Sequence, residues 1–300
     1  MKENLDFGLK DKVAIVAGGG SYGDGIGNGR AASILLAEAA AKVLVIDVNK
    51  KFAQNTVDLI KNNGGNAFAI SADLTSSIEC EKVIKEVINK WGRLDILDNN
   101  IGIASNTSVV NENEKYWDKV MNINLKPMFL MSKYSIPEMI NSGNGGVIIN
   151  ISSISATRPK GYTSYSASKG AVISLTKAMA VDHGADGIRV NCILPGPVYT
   201  PMVYQDGMSK KLRKIRKAAS LLNVEGNGFD IGKAVVYLSS NWSKYITGQT
   251  LVVDGGCSLS YKSRGWNLLH LEIHNLKIIS FWFVITSCKI DFSIRVFWNI

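Results

Sequence analysis

A chain of 300 residues with 46% hydrophobic and 20% charged side chains is long enough for one large domain, and this composition excludes a disordered or low-complexity protein. At this size a fold buries roughly three quarters of the surface its unfolded chain exposes and needs no staple; the four cysteines (Cys80, Cys192, Cys257 and Cys288) form no CxxC pair, so neither a zinc site nor a disulfide framework is expected. The net charge of +9 is concentrated in the run Lys210, Lys211, Arg213, Lys214, Arg216, Lys217 and in residues 261–300, which argues against the spread basic stripe of a nucleic-acid binder.

Short apolar runs alternate with longer helical patterns. Val13–Val16 reads as a buried strand that ends in glycines, Ala31–Ala41 as an alanine-rich helix, and Val43–Ile46 as a second strand. A helix at Phe52–Asn62, a strand at Ala67–Ile70, a helix at Ser77–Trp91 and a strand at Asp95–Leu97 follow. Val147–Ile151, Ile188–Ile193 and Thr250–Val253 supply three more strands. Strands apolar on both faces and separated by helices predict a single α/β domain: a doubly wound parallel sheet of about seven strands, over residues 1–260. Residues 261–300 hold three of the six Trp and four of the nine Phe without a strand–helix rhythm, and read as an atypical aromatic tail not integrated into the domain. Its apolar run Ile278–Cys288 would span about 16 Å as a helix, short of the ~30 Å bilayer core, so no membrane span is expected. His270 and His274 lie four apart in this tail but lack a convincing third ligand, and no metal site is expected. Met1–Lys10 has no apolar stretch of the secretory type, which points to a cytoplasmic location.

Two constellations carry chemistry. The first strand runs into a loop holding Gly18, Gly25, Ile26 and Gly27. A glycine-rich turn between strand and helix lets backbone N–H groups approach a pyrophosphate. Asp47 ends the second strand, where a carboxylate can accept hydrogen bonds from an adenosine ribose and repel a 2′-phosphate; helix capping is its alternative role. In the second constellation, Tyr165 and Lys169 lie one helical turn apart, and an ammonium beside a phenol lowers its pKa toward neutral. Ser152-Ser153 lies just past a buried strand, Asn124 sits in Met121–Leu125, and Asn99-Asn100 follows the fourth strand.

Together these motifs resemble the short-chain dehydrogenase/reductase family over roughly residues 8–258. The glycine loop resembles the family's TGxxxGxG. Asp73-Leu74 resembles its adenine-pocket Asp, Asn99-Asn100-Ile101-Gly102 its NNAG, and Pro195-Gly196-Pro197-Val198 with Thr200 its nicotinamide-facing segment. Asn124, Ser153, Tyr165 and Lys169 fall on its catalytic residues. Three departures stand out. Ala17 replaces the motif's Thr, Ile101 replaces its Ala, and the glycine loop is longer. Gly18 with Gly25 and Gly27 match the motif's letters, whereas counting back from the second strand favours Gly29 as the last glycine. Ser152 is the alternative to Ser153.

The resemblance implies hydride transfer between NAD, preferred over NADP, and a small-molecule secondary alcohol or carbonyl. Tyr165 would be the acid/base and Lys169 its tuning partner and ribose contact. Ser153 would bind the substrate oxygen, and Asn124 would hold a water near Lys169. It also implies a homo-oligomer, tetramer or dimer. A dinucleotide-binding regulator without turnover is the alternative function. The basic run reads as a solvated helix face, or as an attractor for an anionic substrate.

Overall fold

The sheet has seven strands in the order β3-β2-β1-β4-β5-β6-β7. They are β1 (Val13–Ala17), β2 (Lys42–Asp47), β3 (Asn66–Ser71), β4 (Ile96–Asn99), β5 (Gly146–Ile151), β6 (Ile188–Pro195) and β7 (Thr250–Val253). Every pairing is parallel. The structure is a computed structural model that describes residues 6–205 and 207–259. The predicted tail at 261–300 lies outside the described residues.

Helices cover both faces, as parallel strands apolar on two sides require. On one face α1 (Asn28–Glu38), α2 (Lys50–Asn62) and α9 (Gly228–Ser239) bury Leu36, Val57, Ile60, Ile231 and Val235 against Val16, Val45 and Ile149. On the other, α3 (Ser77–Trp91), α5 (Lys126–Asn141) and α6 (Thr163–His183) pack Val83, Val87, Met131, Met139 and Met179 against Ile15, Leu44 and Ile148. The remaining helices are α4 (Glu114–Asn124), which ends beside α5 and α6, and the short α7 (Pro201–Tyr204) and α8 (Lys210–Ala218).

Most predicted boundaries shift by a residue or two, and two of the shifts have a clear local reason. Helix α1 starts at Asn28 and ends at Glu38, rather than spanning Ala31–Ala41. It stops because Ala40 takes a left-handed φ of 63°, a conformation usually reserved for glycine and therefore hidden in an alanine-rich run. Strand β4 runs on through Asp98 and Asn99, both fully buried. Their polarity is met in part by side chains: Asn100 Nδ2 donates to Asp98 at 3.0 Å and Asn99 Nδ2 donates to Asn150 at 2.9 Å, while the Oδ1 atoms of Asp98 and Asn99 have no partner among the described residues. Asp95 precedes the strand, accepting from the Val13 amide and pairing with Lys12 and Arg93. Among the described residues no helix is long and apolar enough to cross a membrane, and no group of three His, Cys, Asp or Glu is placed to hold a metal.

Candidate active site

Because β4 lies beside β1 while β2 and β3 extend the other way, the order in which strands are added reverses between β1 and β4, the place where a parallel sheet forms a crevice at its carboxyl ends. The loops that leave β1, β4, β5 and β6 all meet this edge. They carry the glycine loop, Asn100, Ser153 and Pro195–Thr200.

The glycine loop spans Gly18–Gly27, and α1 begins at Asn28 with Gly27 as an N-cap that makes no side-chain hydrogen bond. With no acidic residue in its first turn, this helix start offers open N–H groups and the positive end of the dipole. Gly18 has φ +81°, and a Cβ there would lie 3.0 Å from the Asn100 carbonyl oxygen. A Cβ on Gly29 would collide with the Gly18 carbonyl oxygen, so Gly29 provides the close helix–strand approach. The register counted from the second strand therefore describes the fold better than the one that ends the motif at Gly27. Gly29→Ala is expected to cost about 1–3 kcal/mol, the usual penalty for overpacking a tight contact. A thermal midpoint equal to the parent's would show that the two backbones can part without loss.

Asp47 lies against this loop. Its carboxylate accepts from the Asn49 amide at 2.9 Å, and a Cβ on Gly20 would sit 2.5 Å from its Oδ2. Burial raises its pKa, opposed by the Asn49 and Gly20 amides and by the Arg30 charge. Capping of α2 falls to Asn49 instead. At the end of β3, Asp73 turns its carboxylate back onto the Thr75 amide and hydroxyl at 2.9 and 2.8 Å, while Leu74 is buried in the core. Asn100 donates its amide to the Ala17 carbonyl at 2.8 Å and so joins the loop to β4.

Across the crevice, α6 carries Tyr165 and Lys169. The Ser153 side chain lies near enough to the Tyr165 phenol to act on it, whereas the Ser152 hydroxyl donates to the Lys169 carbonyl at 2.7 Å. Ser153 is therefore the serine placed with the phenol. Lys169 is buried, donates to the Ile151 carbonyl at 2.8 Å, and holds its Nζ 6.0 Å from the Tyr165 ring centroid. Asn124, the buried last residue of α4, accepts from the Ile103 amide at 2.7 Å and donates to the Ile103 carbonyl and to Ser168, each at 3.0 Å. Gly102 brings these groups together, because a Cβ there would stand 3.1 Å from Lys169 Nζ and 3.5 Å from Asn124 Oδ1.

One expectation from the spacing is corrected. Burial raises the Tyr165 pKa, and Ser153 only partly opposes it. Lys169 is not among the groups that pull it down; its Nζ donates to the Ile151 carbonyl and its own ammonium is buried. That burial lowers the Lys169 pKa to about 8.

The segment after β6 roofs the crevice. Gly196 donates to the Val253 carbonyl, Val198 is buried, and the buried Thr200 stands at the N-cap position of α7 without a side-chain cap bond. In α7, Pro201 and Tyr204 rest against Gly25. Helix α8 buries no residue, as a solvated face should, yet two of its cations are engaged. Arg213 pairs with Glu225 at 2.6 Å and lies 4.0 Å over the Tyr199 ring, which stacks on Tyr204. Arg216 donates to the Val198 carbonyl at 3.2 Å. Glu112 was invisible in the sequence. It accepts from the Ser105 and Ser164 hydroxyls and ties the loop after β4 to the first turn of α6.

A family profile described as Enoyl-(Acyl carrier protein) reductase matches residues 22–258. A 3-oxoacyl-[acyl-carrier-protein] reductase of Thermotoga maritima is 32% identical over 83% of this chain and 98% of its own. A 2,5-dichloro-2,5-cyclohexadiene-1,4-diol dehydrogenase of Sphingobium indicum is 35% identical over 84% and 98%. A crystal structure from Burkholderia xenovorans, assigned to the short-chain dehydrogenases/reductases, superposes with a TM-score of 0.79 at 36% identity, covering 84% of this chain and 98% of that one. The chain is a short-chain dehydrogenase/reductase. It is an oxidoreductase of that family, with the family's Rossmann-like sheet, and the family binds a nicotinamide cofactor.

Proposed function

We propose that this short-chain dehydrogenase/reductase moves hydride between NAD(H) and the carbon of a small-molecule secondary alcohol or ketone, with Tyr165 as the general acid/base. The observation that carries the reading is the Tyr165 phenol, beside Ser153 and Lys169, on the same sheet edge as the glycine loop. The residues fit a dinucleotide: Gly18 and Gly29 leave no room for side chains, the α1 start is open, and Asp47 lies against the same loop, where it would meet a ribose. Gly18, Gly25, Ile26 and Gly27 with Asn100 would line the phosphate and adenosine side, with Asp73 and Leu74 at the adenine. Pro195, Gly196, Val198 and Thr200 would face the nicotinamide. The bound nicotinamide would supply or accept the hydride.

The protein's own groups handle the proton. Tyr165 gives its phenolic hydrogen to the substrate oxygen during reduction and takes it back during oxidation. Ser153 donates a hydrogen bond to the same oxygen and steadies the charge that gathers there. Lys169 holds positive charge close to the phenol, and Asn124 fixes the Ile103 backbone beside it. The names of the relatives, an oxoacyl reductase and a diol dehydrogenase, support a carbinol or carbonyl substrate. A homo-oligomer in the cytoplasm, tetramer or dimer, accords with family membership. The deciding experiment follows NADH absorbance with a panel of ketones and secondary alcohols. Turnover of none of them, in a protein that binds NADH, would favour a dinucleotide-binding regulator.

Asp47 should set the preference for NAD(H), because a 2′-phosphate would meet its carboxylate. Repulsion at a partly screened site is worth about 1–3 kcal/mol, or roughly 5- to 150-fold in affinity, at intermediate dielectric. Lys50 and Lys51, a few residues on, would soften it. Asp47→Ala is expected to shrink the ratio of kcat/KM for the two cofactors. Equal values in the parent would defeat the assignment.

A further inference from the structure

Arg30 plays no part in the roles above, yet it is among the largest fully buried side chains. A guanidinium cannot shed its charge at accessible pH, so burying it is costly unless its N–H groups are taken up. Here four of them are. Nη1 donates to the Gly23 and Gly25 carbonyls at 2.8 and 2.7 Å, and Nη2 to the Ser21 carbonyl at 2.8 Å. Nε donates to the Thr56 hydroxyl at 3.0 Å, and that hydroxyl reaches the Gly19 carbonyl at 3.0 Å. Every acceptor lies in the glycine loop or is hydrogen-bonded to it. In a trans peptide the C=O and the following N–H point in opposite directions. With the carbonyls of residues 21, 23 and 25 drawn inward, the amides of Tyr22, Asp24 and Ile26 face away from the guanidinium, beside the open N-terminus of α1. Outward-facing amides backed by a fixed positive charge are the elements of an anion cradle.

We propose that Arg30 is a positioning residue that shapes the long glycine loop into a diphosphate-binding surface, with Thr56 as its second strut. The inference rests on the dinucleotide reading and extends it to a residue that never touches the cofactor. A buried core cation would support folding alone. A loop-setting cation instead governs affinity for ligands that carry the diphosphate.

Three variants of the full chain, Arg30→Met, Arg30→Lys and Thr56→Val, test this through dissociation constants for NADH, ADP-ribose and adenosine measured by calorimetry. Hydrogen exchange of the loop amides is measured alongside. Arg30→Met is expected to weaken NADH and ADP-ribose roughly 10- to 100-fold, the scale of losing charge-assisted hydrogen bonds. Adenosine should change less than about threefold by the same reasoning, since it lacks the diphosphate. KM for NADH should rise while kcat at saturating NADH stays close to the parent's. Arg30→Lys should recover part of the affinity by restoring the charge without the fork. Exchange at residues 20–27 should quicken in Arg30→Met. Thr56→Val removes one strut only and should weaken NADH by a smaller factor, which decides the matter even if Arg30→Met does not fold. NADH affinity unchanged in Thr56→Val and Arg30→Lys, or an equal loss for adenosine and ADP-ribose, would overturn the role of Arg30. A parent that binds no dinucleotide would overturn the proposed function, and the cradle with it.

Discussion

Tyr165→Phe is expected to lower kcat by at least ~10²-fold while leaving the NADH dissociation constant and the thermal midpoint nearly unchanged, because it removes a proton and almost no volume. Hydride delivery to a carbonyl builds an alkoxide, and in the proposed mechanism the phenol is the acid, beside Ser153, Lys169 and Asn124. Burial lifts the phenol above its ordinary pKa. Reduction needs the protonated phenol, so a raised pKa extends the reductive range toward alkaline pH. Oxidation needs the phenolate, so its rate should climb over the same alkaline interval. Both arms should disappear in Tyr165→Phe. A variant whose kcat stays within a few-fold of the parent's would shift the acid role to another group, with the exposed Tyr162 the first to examine.

Lys169→Met should stop turnover and yet make the ligand-free protein more stable. The folded-state pKa of Lys169 is lowered to about 8 from an ordinary 10.5. Below about pH 8 both the folded and the unfolded chain carry the charge, and the folded chain bears the full cost of burying it. As pH rises toward 10.5 the unfolded chain also loses its proton and the cost fades. At pH 7 the cost is about 3 kcal/mol at most, since each pKa unit is worth about 1.4 kcal/mol. Losing the bond to the Ile151 carbonyl returns about 1 kcal/mol of it. The midpoint of Lys169→Met should therefore exceed the parent's at pH 7, and the gain should shrink by pH 10. A lower midpoint at pH 7 would mean that the buried ammonium is well solvated by its neighbours. Burying this charge is the kind of cost that active sites carry for reactivity.

The alternation of strands and helices was legible because parallel strands buried on both faces leave unbroken apolar runs, as in Val43–Ile46 and Val147–Ile151. Tyr165 and Lys169 were legible because a helix must place residues four apart on one face. The loop register was not. Glycine tolerates many conformations between Gly18 and Gly27, and only the close contact of Gly29, in the first turn of α1, with the Gly18 carbonyl favours Gly29 as the motif's last glycine. Spacing could not choose between Ser152 and Ser153, since the choice depends on which way the chain rotates as it leaves β5. Arg30 gave a signal that went unused: a lone cation opening an alanine-rich apolar helix has to find partners for five N–H groups. Arg213 and Arg216 were hidden because a run of like charges reads as solvated, and nothing local reveals Glu225 or the Val198 carbonyl as their acceptors.

The roof of the crevice also has a bearing on biosynthesis. Gly196 is held by the Val253 carbonyl, Leu221 donates to the Gly255 carbonyl, and Arg158 reaches the Cys257 carbonyl. The wall after β5, the turn after β6 and the chain beyond α8 are thus all fastened to residues 253–257. Strand β7 forms one edge of the sheet and, among the described residues, is the last strand to leave the ribosome. A nascent chain can pair β1 with β2 and β4 long before that, but it has nothing to brace Gly196 or Leu221. Competence should therefore arrive in one late step, and a chain stalled before Thr250 would present an unpaired β6 edge, the kind of surface that recruits chaperones or aggregates.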